Sequence, residues 1–152
     1  MKLLVTLGAF LFSGVISAAP LHNIVVFGDS LSENGNLYEL MQQQLPQSPP
    51  YYEGRFSNGP VWVEHVAAAY FPTQPAAHLF DYAVGGSGVS EDEDDEVLFT
   101  LRKQVNNYLV SHKDLASADS LYVVWIGANN YLGLPEDTEK TLKDVNEGIV
   151  HN

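Results

Sequence analysis

Three short motifs contain the residue types that acyl-transfer chemistry uses, and each follows an apolar run. Gly-Asp-Ser-Leu-Ser occupies residues 28–32, Gly-Gly-Ser-Gly residues 85–88, and Gly-Ala-Asn-Asn residues 127–130. A serine directly after a strand can act as a nucleophile, glycines allow backbone N–H groups to face a ligand, and asparagine supplies a neutral amide donor. Together these groups would provide an attacking hydroxyl and donors for a developing oxyanion.

Each motif alone has a simpler explanation. An isolated Gly-Asp-Ser is usually a turn in which the Asp and Ser side chains bind neighbouring backbone N–H groups. Glycine-rich strand ends can also hold a phosphate or a dinucleotide, but the first turn lacks a Gly-x-Gly-x-x-Gly and no glycine run is followed by a Walker-type lysine. The coincidence of three motifs at three strand ends favours the catalytic interpretation.

The strands that must position these motifs are predicted from continuous apolar runs. Residues 24–27, 79–84 and 121–126 are rich in β-branched and aromatic side chains, and each run ends at one of the motifs. Four helices are predicted from apolar residues at helical spacing, over residues 37–45, 61–70, 98–109 and 142–149. Strands that alternate with helices imply a parallel α/β sheet covered on both faces, whose strand carboxyl ends meet at one edge.

Prolines and acidic residues mark the segments between these elements. Pro46 is expected to end the first helix, and Pro72 and Pro75 the second. Six consecutive acidic residues, Glu91 to Glu96, could form a weak Ca²⁺ site. Adjacent carboxylates in such a run point in different directions and repel one another, which favours a solvated acidic loop or helix N-terminus.

The composition predicts one globular domain with a substantial core. The chain has 152 residues, 45% of them hydrophobic and 17% charged, and its net charge is −12. That negative field repels phosphate backbones, so we expect no nucleic-acid partner. The absence of cysteine excludes disulfides, thiolate catalysis and Cys-ligated zinc.

The N-terminus has the pattern of a secretory signal. Lys2 precedes an apolar run of about 14 residues, which is followed by Ser17 and the small residues Ala18 and Ala19. A buried helix or strand is the weaker alternative because glycines interrupt the run, and the run is too short to span a bilayer comfortably. We therefore expect residues 1–18 to be a signal peptide, and the mature chain to be secreted or periplasmic without a transmembrane segment.

The three motifs and the residues around them are similar to the sequence blocks of a known family. Residues 25–36, Val-Val-Phe-Gly-Asp-Ser-Leu-Ser-Glu-Asn-Gly-Asn, resemble the first block of the GDSL lipases and esterases of the SGNH hydrolase superfamily. Residues 55–64 resemble the following segment of its bacterial branch, which includes lysophospholipases and thermolabile haemolysins, and residues 82–86 and 125–130 resemble the second and third blocks. The resemblance implies a flavodoxin-like three-layer αβα fold and a secreted ester hydrolase acting on acyl lipids, without cofactor or metal.

Individual roles follow from that resemblance. It implies that Ser30 is the nucleophile and that the oxyanion is bound by the Ser30 N–H, the Gly86 N–H and the side-chain amide of Asn129. Gly85 replaces Gly86 if the loop is shifted by one residue, and Asp29 is assigned to positioning the Ser30 loop. The implied substrate is an acyl ester or lysophospholipid, reached by transient contact with a lipid surface.

The sequence departs from the family pattern at three places. Asn130 stands where the third block commonly has Asp, and Asp81 where the second block usually has Asn. The Asp-x-x-His block that supplies the general base is missing, because none of the five histidines has Asp three positions before it; they are His22, His65, His78, His112 and His151. We therefore expect residues 19–152 to be the N-terminal part of a hydrolase domain that lacks its C-terminal part and its base.

Three functions remain open at this stage. A hydrolase passes the acyl group from Ser30 to water, whereas an acyltransferase passes it to an alcohol or sterol. A chain without its base could instead persist as an inactive binding remnant. Product analysis separates the first two functions, and a downstream Asp-x-x-His would argue against the third.

Overall fold

A computed structural model describes residues 20–89, 99–113, 115–132 and 134–151. The predicted signal peptide, residues 1–18, and the acidic run Glu91 to Glu96 lie outside the described residues. The strands are β1 (Asn23–Gly28), β2 (Leu79–Asp81) and β3 (Ser120–Trp125). The helices are α1 (Asn36–Leu40), α2 (Trp62–Tyr70), α3 (Leu101–Ser111), α4 (Asn129–Leu132) and α5 (Thr138–His151), and a 3₁₀ turn spans Pro75–His78.

The described strands form a parallel sheet in the order β2-β1-β3. β1 is central, with Ile24 opposite Leu79 on one side and Leu121 on the other. A central first strand flanked by the second and third matches the start of a flavodoxin-like sheet. The predicted α/β class and parallel arrangement are therefore confirmed.

Alternate residues of β1 face two separate layers, because successive side chains of a strand point to opposite faces. Ile24 and Val26 pack in one cluster with residues of α2, including Val63. Val25 and Phe27 pack in the other cluster with residues of α3 and α5. All four β1 side chains are at most 5% exposed, so the strand before the Ser30 motif is held from both faces.

The predicted helix over residues 37–45 is wrong in its extent. α1 ends at Leu40, well before Pro46, because Gln42 and Gln43 adopt left-handed backbone angles with φ of 53° and 63°. The apolar spacing continues through residues 41 and 45, but residues in that conformation cannot extend a right-handed helix. Leu40 and Leu45 are accordingly more than half exposed.

The predicted strand over residues 79–84 is also too long. β2 ends at Asp81, whose Oδ1 accepts a hydrogen bond from the N–H of Ala83 at 2.9 Å. The Asn36 Nδ2 donates to the carbonyl oxygens of Asp81 and Ala83 at 2.9 and 2.8 Å. These side-chain bonds lie on the edge that faces away from β1. On the β1 side, the Tyr82 N–H still donates to Val26, but the Gly28 N–H donates to Gln104 and not to the β2 chain, so the ladder is incomplete beyond Asp81.

Two short elements were not expected from the sequence. The 3₁₀ turn Pro75–His78 begins at a proline that was predicted only to close the preceding helix. α4 begins at Asn129, inside the third motif.

In the part of the chain that the structure describes, no helix combines the length and apolar character of a membrane span.

Candidate active site

The turn after β1 holds Ser30 at the carboxyl edge of the sheet. The Asp29 carbonyl oxygen accepts hydrogen bonds from the N–H groups of Ser32 and Glu33 at 3.0 and 3.1 Å. The Asp29 Oδ1 accepts from the N–H of Leu31 at 3.0 Å. Asp29 thus accepts hydrogen bonds from three backbone N–H groups of a tight turn. Ser30 lies at the start of this turn and is half-buried.

Gly28 allows this turn to leave the sheet. A Cβ at Gly28 would lie 2.7 Å from the carbonyl oxygen of Trp125 in β3, which is closer than real Cβ contacts. Only glycine therefore lets the two strands stay this close at the residue where the nucleophile turn begins.

The second motif lies beside the first. The Val84 N–H donates to the Gly28 carbonyl oxygen at 3.2 Å, which keeps the chain next to β1 beyond the end of β2. Gly86 then adopts a φ of +81° and is exposed, with no atom within 4 Å of the position of a Cβ. Gly85 is buried, and a Cβ there would lie 2.5 Å from Phe56 and 2.9 Å from Leu37.

The third motif binds the second through two asparagine side chains. The Asn129 Nδ2 donates to the Ser87 carbonyl oxygen at 2.6 Å. The Asn130 amide accepts from the Val89 N–H at 2.9 Å and donates to the Val89 carbonyl oxygen at 2.5 Å. The loops after β2 and β3 are thereby joined by side chains as well as by the sheet.

A residue that the sequence analysis missed connects these loops to the nucleophile turn. Gln104 of α3 is 3% exposed, and its Oε1 accepts from the Gly28 N–H at 2.8 Å. Its Nε2 donates to the Gly28 carbonyl oxygen at 2.8 Å and to the Ser87 Oγ at 2.9 Å. A signal was present, because Gln104 is a polar residue within the buried helix face formed by Leu101 and Tyr108.

The two tryptophans pack beside the Ser30 turn. The Trp62 Nε1 donates to the Ser32 Oγ at 3.1 Å, and its ring lies 5.4 Å from that of Trp125. Trp62 belongs to residues 55–64, which resemble the segment that follows the first block in the family's sequences. The start of α2 is therefore part of the wall around the candidate nucleophile.

Three histidines lie toward the amino ends of the strands, at the opposite end of the sheet from Ser30. His22 precedes β1, and its N–H donates to the Asp119 carbonyl oxygen just before β3. His78 precedes β2 and stacks on Phe71 at 4.3 Å. His112 follows the end of α3 and stacks on Tyr108 at 4.3 Å.

The other two histidines are exposed on helices, His65 on α2 and His151 at the end of α5. Within the described ranges, no histidine makes a hydrogen bond to Ser30.

Comparison with known proteins places this arrangement in a family. The family model described as GDSL-like Lipase/Acylhydrolase matches residues 24–150. The chain belongs to this family. The match spans all three motifs, and the resemblance inferred from the sequence is confirmed.

Individual relatives of this GDSL-family chain are much longer proteins. The chain is 40% identical to a phosphatidylcholine-sterol acyltransferase of Aeromonas hydrophila, over 83% of the chain and 38% of the relative. It is 28% identical to a thermolabile hemolysin of Vibrio parahaemolyticus, over 86% of the chain and 30% of the relative. It is 32% identical to the secreted effector protein SseJ of Salmonella typhimurium, over 80% of the chain and 29% of the relative.

The GDSL-family chain has three carboxyl groups buried around the site. Burial raises the pKa of Asp29 and of Glu33, and it raises the pKa of Asp81 to about 8. One oxygen of each group, Asp29 Oδ2, Glu33 Oε1 and Asp81 Oδ2, has no hydrogen-bond partner among the described residues. The negative charge of Glu33 adds to the burial effect on the Asp81 pKa.

Both departures from the usual family residues are accommodated by local hydrogen bonds. The Asn130 amide donates and accepts at Val89, and an ionised Asp could not make the donation. Asp81 accepts from the Ala83 N–H, as the oxygen of an Asn would. Its raised pKa favours a neutral carboxyl group, which resembles the neutral amide usual at this position.

Proposed function

We propose that this chain contains the nucleophile and the oxyanion donors of a serine acyl hydrolase that cleaves acyl lipids through an acyl-enzyme on Ser30. The observation that supports this most directly is the hydrogen-bonded connection of the three motifs. Gln104 joins Gly28 to Ser87, and Ser87 accepts from Asn129. Unrelated turns would not need a shared buried network.

In the proposed mechanism, the Ser30 Oγ attacks an acyl carbonyl and the carbonyl oxygen becomes negatively charged. The N–H groups of Ser30 and Gly86 and the second N–H of the Asn129 amide donate to that oxygen. Gly86 is preferred to Gly85, because Gly86 is exposed and Gly85 is buried against Phe56. The proton of the Ser30 hydroxyl passes to the leaving oxygen, and the alcohol departs. Water then attacks the acyl carbonyl, the bond to the Ser30 Oγ breaks, and the fatty acid is released as Ser30 regains its proton.

The proposed substrates are acyl esters and lysophospholipids at a lipid surface. The name of the Aeromonas relative includes phosphatidylcholine, and another relative, from Photorhabdus luminescens, is named Lipase 1. Leu31, next to Ser30, is 54% exposed and would meet an acyl chain or the surface itself. The net charge of −12 disfavours nucleic acids and anionic lipid surfaces.

Acyl transfer to a sterol or another alcohol is the second candidate function. It is favoured by the 40% identity to an acyltransferase, and it uses the same acyl-enzyme. The two functions differ only in the acceptor. Incubation with a lysophospholipid and cholesterol distinguishes them, because a hydrolase releases free fatty acid and a transferase forms a cholesteryl ester.

We also propose that the 152-residue chain turns over esters slowly by itself. A serine hydroxyl needs a base to accept its proton, and base removal in a well-studied serine protease costs roughly six orders of magnitude in kcat. No histidine of the described ranges is bonded to Ser30, and His22, His78 and His112 lie at the far edge of the sheet.

The test uses the purified chain and its Ser30→Ala variant. We expect p-nitrophenyl butyrate turnover far below the 1–10³ s⁻¹ ordinary for enzymes. In a complete enzyme that contains this segment and an Asp-x-x-His base, Ser30→Ala should abolish the burst of released product that marks formation of the acyl-enzyme. Ordinary turnover of the 152-residue chain that Ser30→Ala abolishes would disprove the missing base, and His65 or His112 would then be reconsidered. An unchanged burst in the Ser30→Ala enzyme would disprove the nucleophile assignment.

A further inference from the structure

We propose that Gln104 is a positioning residue whose single carboxamide fixes the Ser30 turn and the oxyanion loop relative to each other. The proposal rests on the proposed function, because it assigns Gln104 to the geometry of that same site. Gln104 touches neither Ser30 nor Gly86 through its hydrogen bonds. It acts through Gly28 and Ser87, each one or two residues away from them.

The chemistry at Gly28 requires both halves of a carboxamide. The Gln104 oxygen accepts from the Gly28 N–H, and its nitrogen donates to the Gly28 carbonyl oxygen, both at 2.8 Å. A leucine of similar size would leave both backbone groups without this partner in a buried place, and an ionised carboxylate would face the carbonyl oxygen with no proton to donate. Because both bonds end on one residue, only one orientation of the amide satisfies them.

The second N–H of Gln104 extends the connection to the oxyanion loop. The Ser87 Oγ accepts from Gln104 at 2.9 Å, while the Ser87 carbonyl oxygen accepts from Asn129 at 2.6 Å. Ser87 and Gln104 are 0% and 3% exposed, so the bond between them is shielded from water, whereas Asn129 is half-buried. One side chain on a rigid helix is therefore linked to all three motifs.

Such a link matters because catalytic geometry tolerates little error. Displacement of a reacting group by about 1 Å can reduce a rate about a hundredfold. The Gly86 turn is exposed and no atom lies within 4 Å of its Cβ position, so the turn is held by its two buried neighbours, and of these Ser87 is the one whose side chain is hydrogen-bonded. The alternative is that Gln104 only fills the core between α3 and β1.

Amide hydrogen exchange of the 152-residue chain distinguishes the two roles. We compare the unsubstituted chain with Gln104→Ala, Gln104→Glu and the control Asn107→Ala, a change at an exposed position of the same helix. In Gln104→Ala, the Gly28 amide should exchange on the order of tenfold faster or more, while amides in the centre of α3 keep their rates. The resonances of the Gly86 N–H and the Asn129 side-chain amide should shift. Asn107→Ala should change neither.

Gln104→Glu supplies a pH-dependent rescue that a space-filling role does not predict. With the introduced carboxyl group ionised, the Gly86 and Asn129 resonances should be displaced. On acidification they should return toward those of the unsubstituted chain, because a protonated carboxyl group can again donate to Gly28 or Ser87 while it accepts from the Gly28 N–H. If Gln104→Ala does not fold, this variant decides the question.

Three results would overturn the proposal. The first is that the Gly28 exchange rate and the Gly86 resonance in Gln104→Ala equal those in Asn107→Ala. The second is that all protected amides of Gln104→Ala exchange faster by the same factor. The third is that Gln104→Ala and Gln104→Glu are both unfolded at every pH. Failure of the proposed function has a different signature, because the burst of released product in a complete enzyme that contains this segment then survives Ser30→Ala. The exchange experiment does not depend on that burst.

Discussion

At the scale of single residues, the side-chain amide of Asn129 has two roles. Its amide nitrogen donates one proton to the Ser87 carbonyl oxygen, and the other proton is the one proposed to bind the oxyanion. The first bond orients the side chain before substrate arrives, so the donor needs no reorganisation in the transition state. Such preorganised donors are worth far more than flexible ones.

Replacement of Asn129 by Ala should therefore reduce kcat by about 10²–10³-fold, with a smaller change in KM. The comparison is made with a soluble short-chain ester in a complete enzyme that contains this segment, against the unsubstituted enzyme. Asn146→Ala, at an exposed position of α5, is the matched control and should stay within about twofold. Equal kcat for the two variants would remove Asn129 from the oxyanion hole.

Asp81 should make the stability of the chain depend on pH. Its pKa is about 8 in the folded chain, chiefly because of burial, and the usual value is 3.8. Between about pH 4 and pH 8, Asp81 therefore holds a proton in the folded chain that it has lost in the unfolded chain. The free energy of unfolding is consequently highest at acidic pH and falls as the pH rises from about 4 through about 8. The slope within that window is at most about 1.4 kcal/mol per pH unit.

Asp81→Asn should remove this contribution, because an amide keeps the acceptor for the Ala83 N–H and does not ionise. Urea unfolding at pH 5 and pH 9 should show a smaller alkaline loss in the variant than in the unsubstituted chain. Asp29 and Glu33, whose pKa values are also raised, leave a residual slope of the same sign. Asp119→Asn is the control, since the pKa of Asp119 is lowered, and it should leave the alkaline loss unchanged. Identical slopes in all three proteins would contradict the assignment to Asp81.

At the scale of elements, continuous apolar runs predicted two of the strands best. β1 and β3 were predicted to within one residue at each end. β1 is buried on both faces, as such a run predicts, whereas most side chains of β3 are exposed in the described structure. α1 and β2 were predicted too long, because apolar periodicity contains neither the left-handed backbone angles of Gln42 and Gln43 nor the long-range hydrogen bonds around the end of β2. The Asn36 side chain, for example, binds carbonyl groups 45 and 47 residues away.

The junction between β1 and β3 should be the most sensitive point of the sheet to a single methyl group. Gly28→Ala should lower the free energy of unfolding by about 1–3 kcal/mol, because the new Cβ would lie 2.7 Å from a backbone oxygen that cannot rotate away. The control is Gly59→Ala, where nothing lies within 4 Å, and it should change stability by less than about 0.5 kcal/mol. Urea unfolding of both variants provides the measurement, and equal midpoints would show that β3 moves aside at no cost.

At the scale of the whole molecule, the sequence predicted the site in outline but not its internal connections. The three motifs were expected at one edge from the α/β pattern, and hydrogen bonds now join them through Ser87. Gln104 escaped prediction because its partner Gly28 is 76 residues away and a lone glutamine has no characteristic spacing. Long-range polar contacts of this kind follow from the packing of α3 against β1, which a sequence pattern does not specify.

The last prediction concerns export. The described residues begin at Pro20, and β1 begins at Asn23. The first bond to the β3 side comes from the His22 N–H, which donates to the Asp119 carbonyl oxygen at 2.8 Å. Cleavage after Ala18 or Ala19 would therefore leave the described sheet intact, and the relative SseJ is itself named a secreted effector protein.

Mass spectrometry of protein recovered outside the cytoplasm should find an N-terminus at Ala19 or Pro20. Replacement of both Ala18 and Ala19 by Leu should leave the precursor uncleaved, because signal cleavage requires small residues at this point. An exported form that retains Met1 would disprove the signal peptide while leaving the site assignments unaffected, since all of those residues lie beyond residue 22.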